Sequence, residues 1–126
     1  MFDVHDPRAF NETFARAFNS RNIENLARLY EENAAHGGAP DGAIDVGPVA
    51  IRRALEKLLA APGVMESRNN FCIQNGEIAL LRADWTIRDG GQVIAAGSSA
   101  EIARRQADGR WLYVIDHAFG ASRPNG

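Results

Sequence analysis

Residues 75–109, NGEIALLRADWTIRDGGQVIAAGSSAEIARRQADG, decide the fold. Three hairpin dipeptides punctuate this stretch: Asn75-Gly76, Gly90-Gly91 and Asp108-Gly109. Each tolerates the positive φ of a tight β-turn. With the apolar runs around them they predict four antiparallel strands, over residues 65–74, 77–88, 92–106 and 111–119. If the last two turns are two-residue loops, Glu101 lies opposite both Asp116 and Leu80, and Arg82 opposite Ser99. Side chains then alternate between two faces. One face gathers Trp85, Trp111, Tyr113 and His117. The other gathers Arg82, Asp84, Glu101, Val114 and Asp116. A one-residue slip in either loop would move a strand from one set to the other.

Upstream the apolar period is helical. Asp6-Pro7 reads as a helix cap followed by proline at the first helical position. Phe10, Phe14 and Phe18 then recur four residues apart on one face. Asn22 can cap a second helix, with Ile23, Leu26, Leu29 and Tyr30 inward. Gly47-Pro48 opens a third, with Ile51, Leu55, Leu58 and Leu59 buried, and Pro62-Gly63 ends it. Between the second and third helices, residues 33–40 leave the helix and can form a short hairpin. Helices first and a strand meander second predict an α+β domain over residues 1–120, with 121–126 as a loose tail.

Composition narrows the function classes. The 126 residues carry a net charge of −2. Thirteen of the fourteen basic residues are scattered arginines, Lys57 being the one lysine, so nucleic acid is not an expected partner. The single Cys72 makes no internal disulfide, and no Cys/His cluster suggests zinc. No apolar run reaches membrane-spanning length and no signal peptide is visible, so the expected location is the cytoplasm, away from membranes. No Gly-rich phosphate loop, nucleophile elbow or metal motif occurs, and no cofactor is expected.

The order Phe14 to Tyr30, Gly47-Pro48-Val49-Ala50-Ile51-Arg52, Ala83-Asp84-Trp85 and Asp108-Gly109-Arg110-Trp111, closing on Asp116-His117, resembles the nuclear-transport-factor-2-like superfamily. It is most similar to the SnoaL-like and ketosteroid-isomerase-like branch. The resemblance implies a cone-shaped, cystatin-like half-barrel, with three N-terminal helices packed on a curved antiparallel sheet around a pocket. It also implies a homodimer through the convex face. On this analogy the charged set lines the pocket, and Trp85, Trp111, Tyr113 and His117 form the dimer interface.

Glu101, Asp84 and Asp116 are then candidate catalytic carboxylates, and His36 a candidate base near the pocket mouth. Tyr30, Arg82, Phe14 and Val114 are candidate ligand contacts. Three acids crowded against one arginine should hold one proton at neutral pH. Ketosteroid isomerisation needs a carboxylate base, a tyrosine and a protonated acid. The resemblance places Phe14 where the tyrosine would stand and Gly38 near the base, leaving only Glu101 with a counterpart. The expected function is therefore a cofactor-free isomerase, cyclase or hydrolase-like enzyme on a partly apolar small molecule. The alternative is a non-catalytic binding or homodimeric association module.

Overall fold

The computed structural model describes residues 1–122. A 3-10 turn at Pro7–Ala9 leads into α1 (Phe10–Asn19), and α2 (Ile23–Ala27) follows. Strands β1 (Tyr30–Gly37) and β2 (Asp45–Val46) precede α3 (Pro48–Leu59). Then come β3 (Val64–Asn75), β4 (Ile78–Asp89), β5 (Gln92–Ser98), β6 (Ala100–Arg105) and β7 (Trp111–His117). Asn22 caps α2, its side chain accepting from the Glu24 amide, and Pro48 opens α3 behind Gly47. Among the described residues no helix is long and apolar enough to cross a membrane.

The sheet runs β2-β1-β7-β6-β4-β3, with β5 paired to β4. It is curved and unclosed, and it is mixed rather than purely antiparallel, because β1 pairs parallel with β7. Two expectations therefore change. Tyr30 opens the first strand instead of ending a helix, and only two of the three α-helices precede the sheet. Residues 33–40 do form part of a hairpin, with Ala35 opposite Val46 and His36 opposite Asp45.

Two bulges correct the expected faces. Ile87 pairs with Ala95 but Arg88 with Val93, which leaves Ile94 unpaired. Ile102 pairs with Ile115 but Ala103 with Tyr113, which leaves Val114 unpaired. Each extra residue reverses the side-chain phase beyond it. Leu81, not Leu80, thus faces Glu101, and the first half of β7 turns its aromatics inward. Trp111 and Tyr113 are buried in the chain's own core with Phe10, Phe18, Leu26 and Leu55. Each such side chain contributes roughly 1.5–3 kcal/mol by leaving water.

Polar clamps fix the helices on the sheet. Asn19 exchanges two hydrogen bonds with the Met65 backbone, at 3.0 and 2.8 Å. Arg21, at φ 58°, stacks on Phe18 and donates to the carbonyls of Leu59, at the end of α3, and of Ala61 and Gly63 just past it. Those carbonyls would otherwise lack partners at the helix end. After β7 the chain crosses β5: the Ala121 amide donates to Ser98 O at 3.0 Å, and Ser122 Oγ accepts from the Ser98 amide at 2.9 Å. Ala121 and Ser122 are therefore held, not loose; the rest of the expected tail, residues 123–126, lies outside the described residues.

Candidate active site

Strand pairing builds the site. Parallel β1–β7 sets His36 beside Asp116, and antiparallel β7–β6 sets Asp116 beside Glu101. Asp45 on β2 pairs with His36 from the other side. Four titratable side chains therefore lie in one row across β2, β1, β7 and β6. His36 Nδ1 stands 3.8 Å from Asp45 Oδ2, and Nε2 stands 3.9 Å from Asp116 Oδ2.

Glu101 and Asp116 are only 4% and 7% exposed. Each has polar partners that are neutral. Glu101 Oε1 accepts from Asn11 Nδ2 at 3.0 Å, and Asn11 Oδ1 in turn accepts from the Tyr113 hydroxyl at 2.6 Å. The Tyr30 hydroxyl donates to Asp116 Oδ2 at 2.5 Å. Among the described residues, His36 is the one cation-forming side chain within 4 Å of either acid.

Burial and then the neighbouring Asp116 push the Glu101 carboxyl up to about 8, against the opposing hydrogen bonds from Ser99 and Asn11. Burial also raises Asp116, while His36, the Tyr30 hydroxyl and His117 pull it back. Two carboxylates this close in a low-dielectric site do not both ionise readily. Burial, reinforced by the two acids, holds both Tyr30 and Tyr113 well above the usual phenol range, so both hydroxyls stay protonated as donors.

The acids open onto a cavity of about 60 Å³ walled by Phe14, Leu58, Met65 and Trp85. That is room for several waters or for the end of a small molecule. Outside it lies a wider chamber of about 690 Å³. His36, Leu58, Trp85 and Ala118 border both spaces and form the throat between them. Trp85 is pinned there by its indole N–H, which donates to Ala118 O at 2.7 Å.

Of the candidate catalytic residues, Glu101, Asp116 and His36 come together and Asp84 does not. Asp84 lies on the outer face, 58% exposed, accepting from Asn70 and Ser98. Those hydrogen bonds, Ser98's first, hold its carboxyl below the usual range. The Ile94 bulge explains the misplacement, since it turns Asp84 and Arg82 away from Glu101. Arg82 stands near Asp84, at 4.0 Å, and not in the cavity. Phe14 lines the cavity. Tyr30 touches the site through Asp116 from behind. Val114, the bulged residue, lines neither space.

The four residues expected at a dimer face also divide. Trp111 and Tyr113 are core, Trp85 is in the throat, and only His117 lies on the outer face, half-buried and accepting from the Phe119 amide. Asn11 and Tyr113 were not anticipated at the site, whereas Ser99, expected on the same face as Glu101, does line the cavity. The signal for Asn11 was a lone polar side chain next to Phe10, at the edge of the apolar stripe of α1.

The comparisons agree with this architecture. A Nostoc punctiforme domain of unknown function with a cystatin-like fold superposes with a TM-score of 0.75 at 17% identity, over 94% of this chain and 76% of that one. A ketosteroid isomerase-like protein from Erwinia carotovora atroseptica gives 0.65 at 19%, over 87% and 89%. A Thiobacillus denitrificans protein named for a calcium/calmodulin-dependent protein kinase type II association domain gives 0.70 at 22%, over 84% and 87%. At these identities the likeness is one of fold. No curated protein matches the sequence. The family model for the SnoaL-like domain matches residues 11–114, which run from the asparagine that holds Glu101 to the bulge in β7, and the chain belongs to the SnoaL-like domain family.

Proposed function

We propose that this protein is a cofactor-free acid–base enzyme, of isomerase, cyclase or hydrolase type, acting on a small, partly apolar carbonyl compound. The observation behind this reading is the buried Glu101–Asp116 pair. It faces an apolar-walled cavity, and among the described residues no lysine or arginine lies within salt-bridge distance to neutralise it. A purely structural carboxylate pair would be expected to carry a guanidinium or to be replaced by apolar groups. Here one proton resides on the pair at neutral pH, most readily on Glu101.

Neutral Glu101 then donates a hydrogen bond to the substrate carbonyl oxygen as negative charge builds there. The ionised partner, Asp116, removes a proton from the adjacent carbon, with His36 as its neighbour for passing that proton on. The proton returns at the product position, so no redox partner or metal enters the scheme. The ketosteroid isomerase arrangement is not reproduced residue for residue: Phe14 has no hydroxyl, and Gly38 borders the outer chamber without a side chain.

The test is α-carbon deuterium exchange, followed by proton NMR over a panel of cyclic and aryl ketones. The wild type should accelerate exchange, and Glu101→Gln and Asp116→Asn should each slow it by roughly 100-fold or more. Exchange at wild-type rates in both variants would remove the pair from the mechanism.

A second reading, homodimeric association, has its own support. One row on the outer face runs Ile73–Leu80–Ile102–Ile115–Ala35–Val46 through six paired strands. Ile73, Leu80, Ile115 and Val46 are all exposed. A continuous aliphatic band of this kind suits a second copy of the sheet. Sedimentation at micromolar concentration should give a dimer, and Leu80→Lys with Ile115→Lys a monomer. A wild-type monomer would sink this reading and leave the acid–base one intact.

A further inference from the structure

The chamber outside the acid pair has a charge arrangement the proposed reaction does not use. Helix α3 faces it with Ala50, Arg53, Ala54, Lys57 and Leu58, a single stripe at helical spacing, and Ala61 follows just past the helix end. The alanines leave the chamber wide. Arg53 and Lys57 stand one turn apart and are exposed. Among the described residues neither lies within salt-bridge distance of an acid, whereas adjacent Arg52, on another side of the helix, pairs with both Glu24 and Glu56. Two acids, Asp41 and Asp45, also line the chamber, each with a partner other than Arg53 or Lys57. Asp41 Oδ1 accepts from the Ala43 amide at 2.9 Å, and Asp45 faces His36.

We propose that this chamber holds the anionic end of the substrate, making it a small, partly apolar carbonyl compound that bears a terminal oxyanion group, with Arg53 and Lys57 as its binding residues. The assignment rests on the acid–base reading of the inner cavity, and it fixes the direction of entry. An anion cannot sit between Glu101 and Asp116, because it would be desolvated beside two buried acids. The neutral carbonyl end therefore passes the throat, while the charged end stays at the rim, where water and two cations solvate it. Rim charges of this kind also draw an anionic ligand to the chamber.

The experiment uses three matched probes that differ only in the terminal group: 4-phenylbutanoate, 4-phenylbutyl phosphate and the neutral 4-phenylbutanamide. Binding is read from backbone amide shifts of residues around the chamber, in the wild type and in the double variant Arg53→Gln, Lys57→Gln. At low salt the wild type should prefer an anionic probe over the amide by about tenfold, from two partly exposed ion pairs. That preference should fall below about twofold in the double variant and shrink with added salt. The carboxylate and phosphate arms distinguish the two oxyanion classes.

A wild-type protein that binds amide and anions alike, binds none of them, or keeps its preference in the double variant would overturn the proposal. Binding is read without turnover. A protein that discriminates but shows no Glu101-dependent exchange would refute the acid–base reading alone. One that exchanges but does not discriminate would refute this assignment alone.

Discussion

Replacing Glu101 by Gln should change how stability depends on pH more than it changes stability itself. In the folded chain the Glu101 carboxyl is raised from 4.5 to about 8. An acid raised on folding binds its proton more tightly in the native state. Its contribution is complete below the unfolded value and is lost as pH climbs through the folded one. Each unit is worth about 1.36 kcal/mol, so the span from 4.5 to 8 corresponds to at most about 5 kcal/mol, and the part between pH 5 and 7.5 to about 3 kcal/mol. Glutamine keeps an oxygen to accept from Asn11 and carries an N–H₂ toward Asp116, so it resembles the protonated acid at every pH. Urea unfolding of both proteins from pH 5 to 8 should give nearly equal stabilities at the acid end. The variant should become the more stable protein, by about 3 kcal/mol, near pH 7.5, with m unchanged. Stability curves that stay parallel within about 0.5 kcal/mol would refute the raised Glu101 and the reasoning built on it.

Other perturbations follow from the same contacts. Tyr30→Phe removes the hydroxyl that stabilises the ionised form of Asp116; it should cost about 1–3 kcal/mol, and the loss should grow with pH because Asp116 is pushed further up. Gly63→Ala places a Cβ against the Arg88 carbonyl at a φ of +101°, and denaturant melts should show a loss of about 2–4 kcal/mol. Arg21→Ala releases three carbonyls at the end of α3 and should cost roughly 2 kcal/mol, with Arg21→Lys recovering less than half of it, since an ammonium cannot match the planar fork.

Much of the architecture was legible because local signals agreed. Asn22, Gly47-Pro48 and the three glycine turns lie where the elements start and stop. Two things were hidden. The pairing of β1 with β7 joins residues about eighty positions apart, and no local pattern announces a parallel edge; without it Tyr30 read as helical. The bulges at Ile94 and Val114 carry no glycine or proline, yet each reverses a face. They are why Glu101 and Asp116 came out on the cavity side while Asp84, Arg82, Trp111 and Tyr113 were misplaced. The pairing of Glu101 with Asp116 came out right because two departures cancel: the loop around Asp108-Gly109 is one residue longer than expected, so Arg105 pairs with Trp111, and the Val114 bulge restores the expected register farther from the turn.

Carbon-13 NMR of the Glu101 and Asp116 side-chain carboxyls, titrated from pH 3 to 9, addresses the shared proton without reference to substrate or turnover. One of the two should remain protonated at neutral pH, with the Glu101 midpoint near 8. Two midpoints close to 4, as for ordinary surface carboxylates, would mean that both acids are ionised in the resting protein and that the proton assigned to this pair is not there.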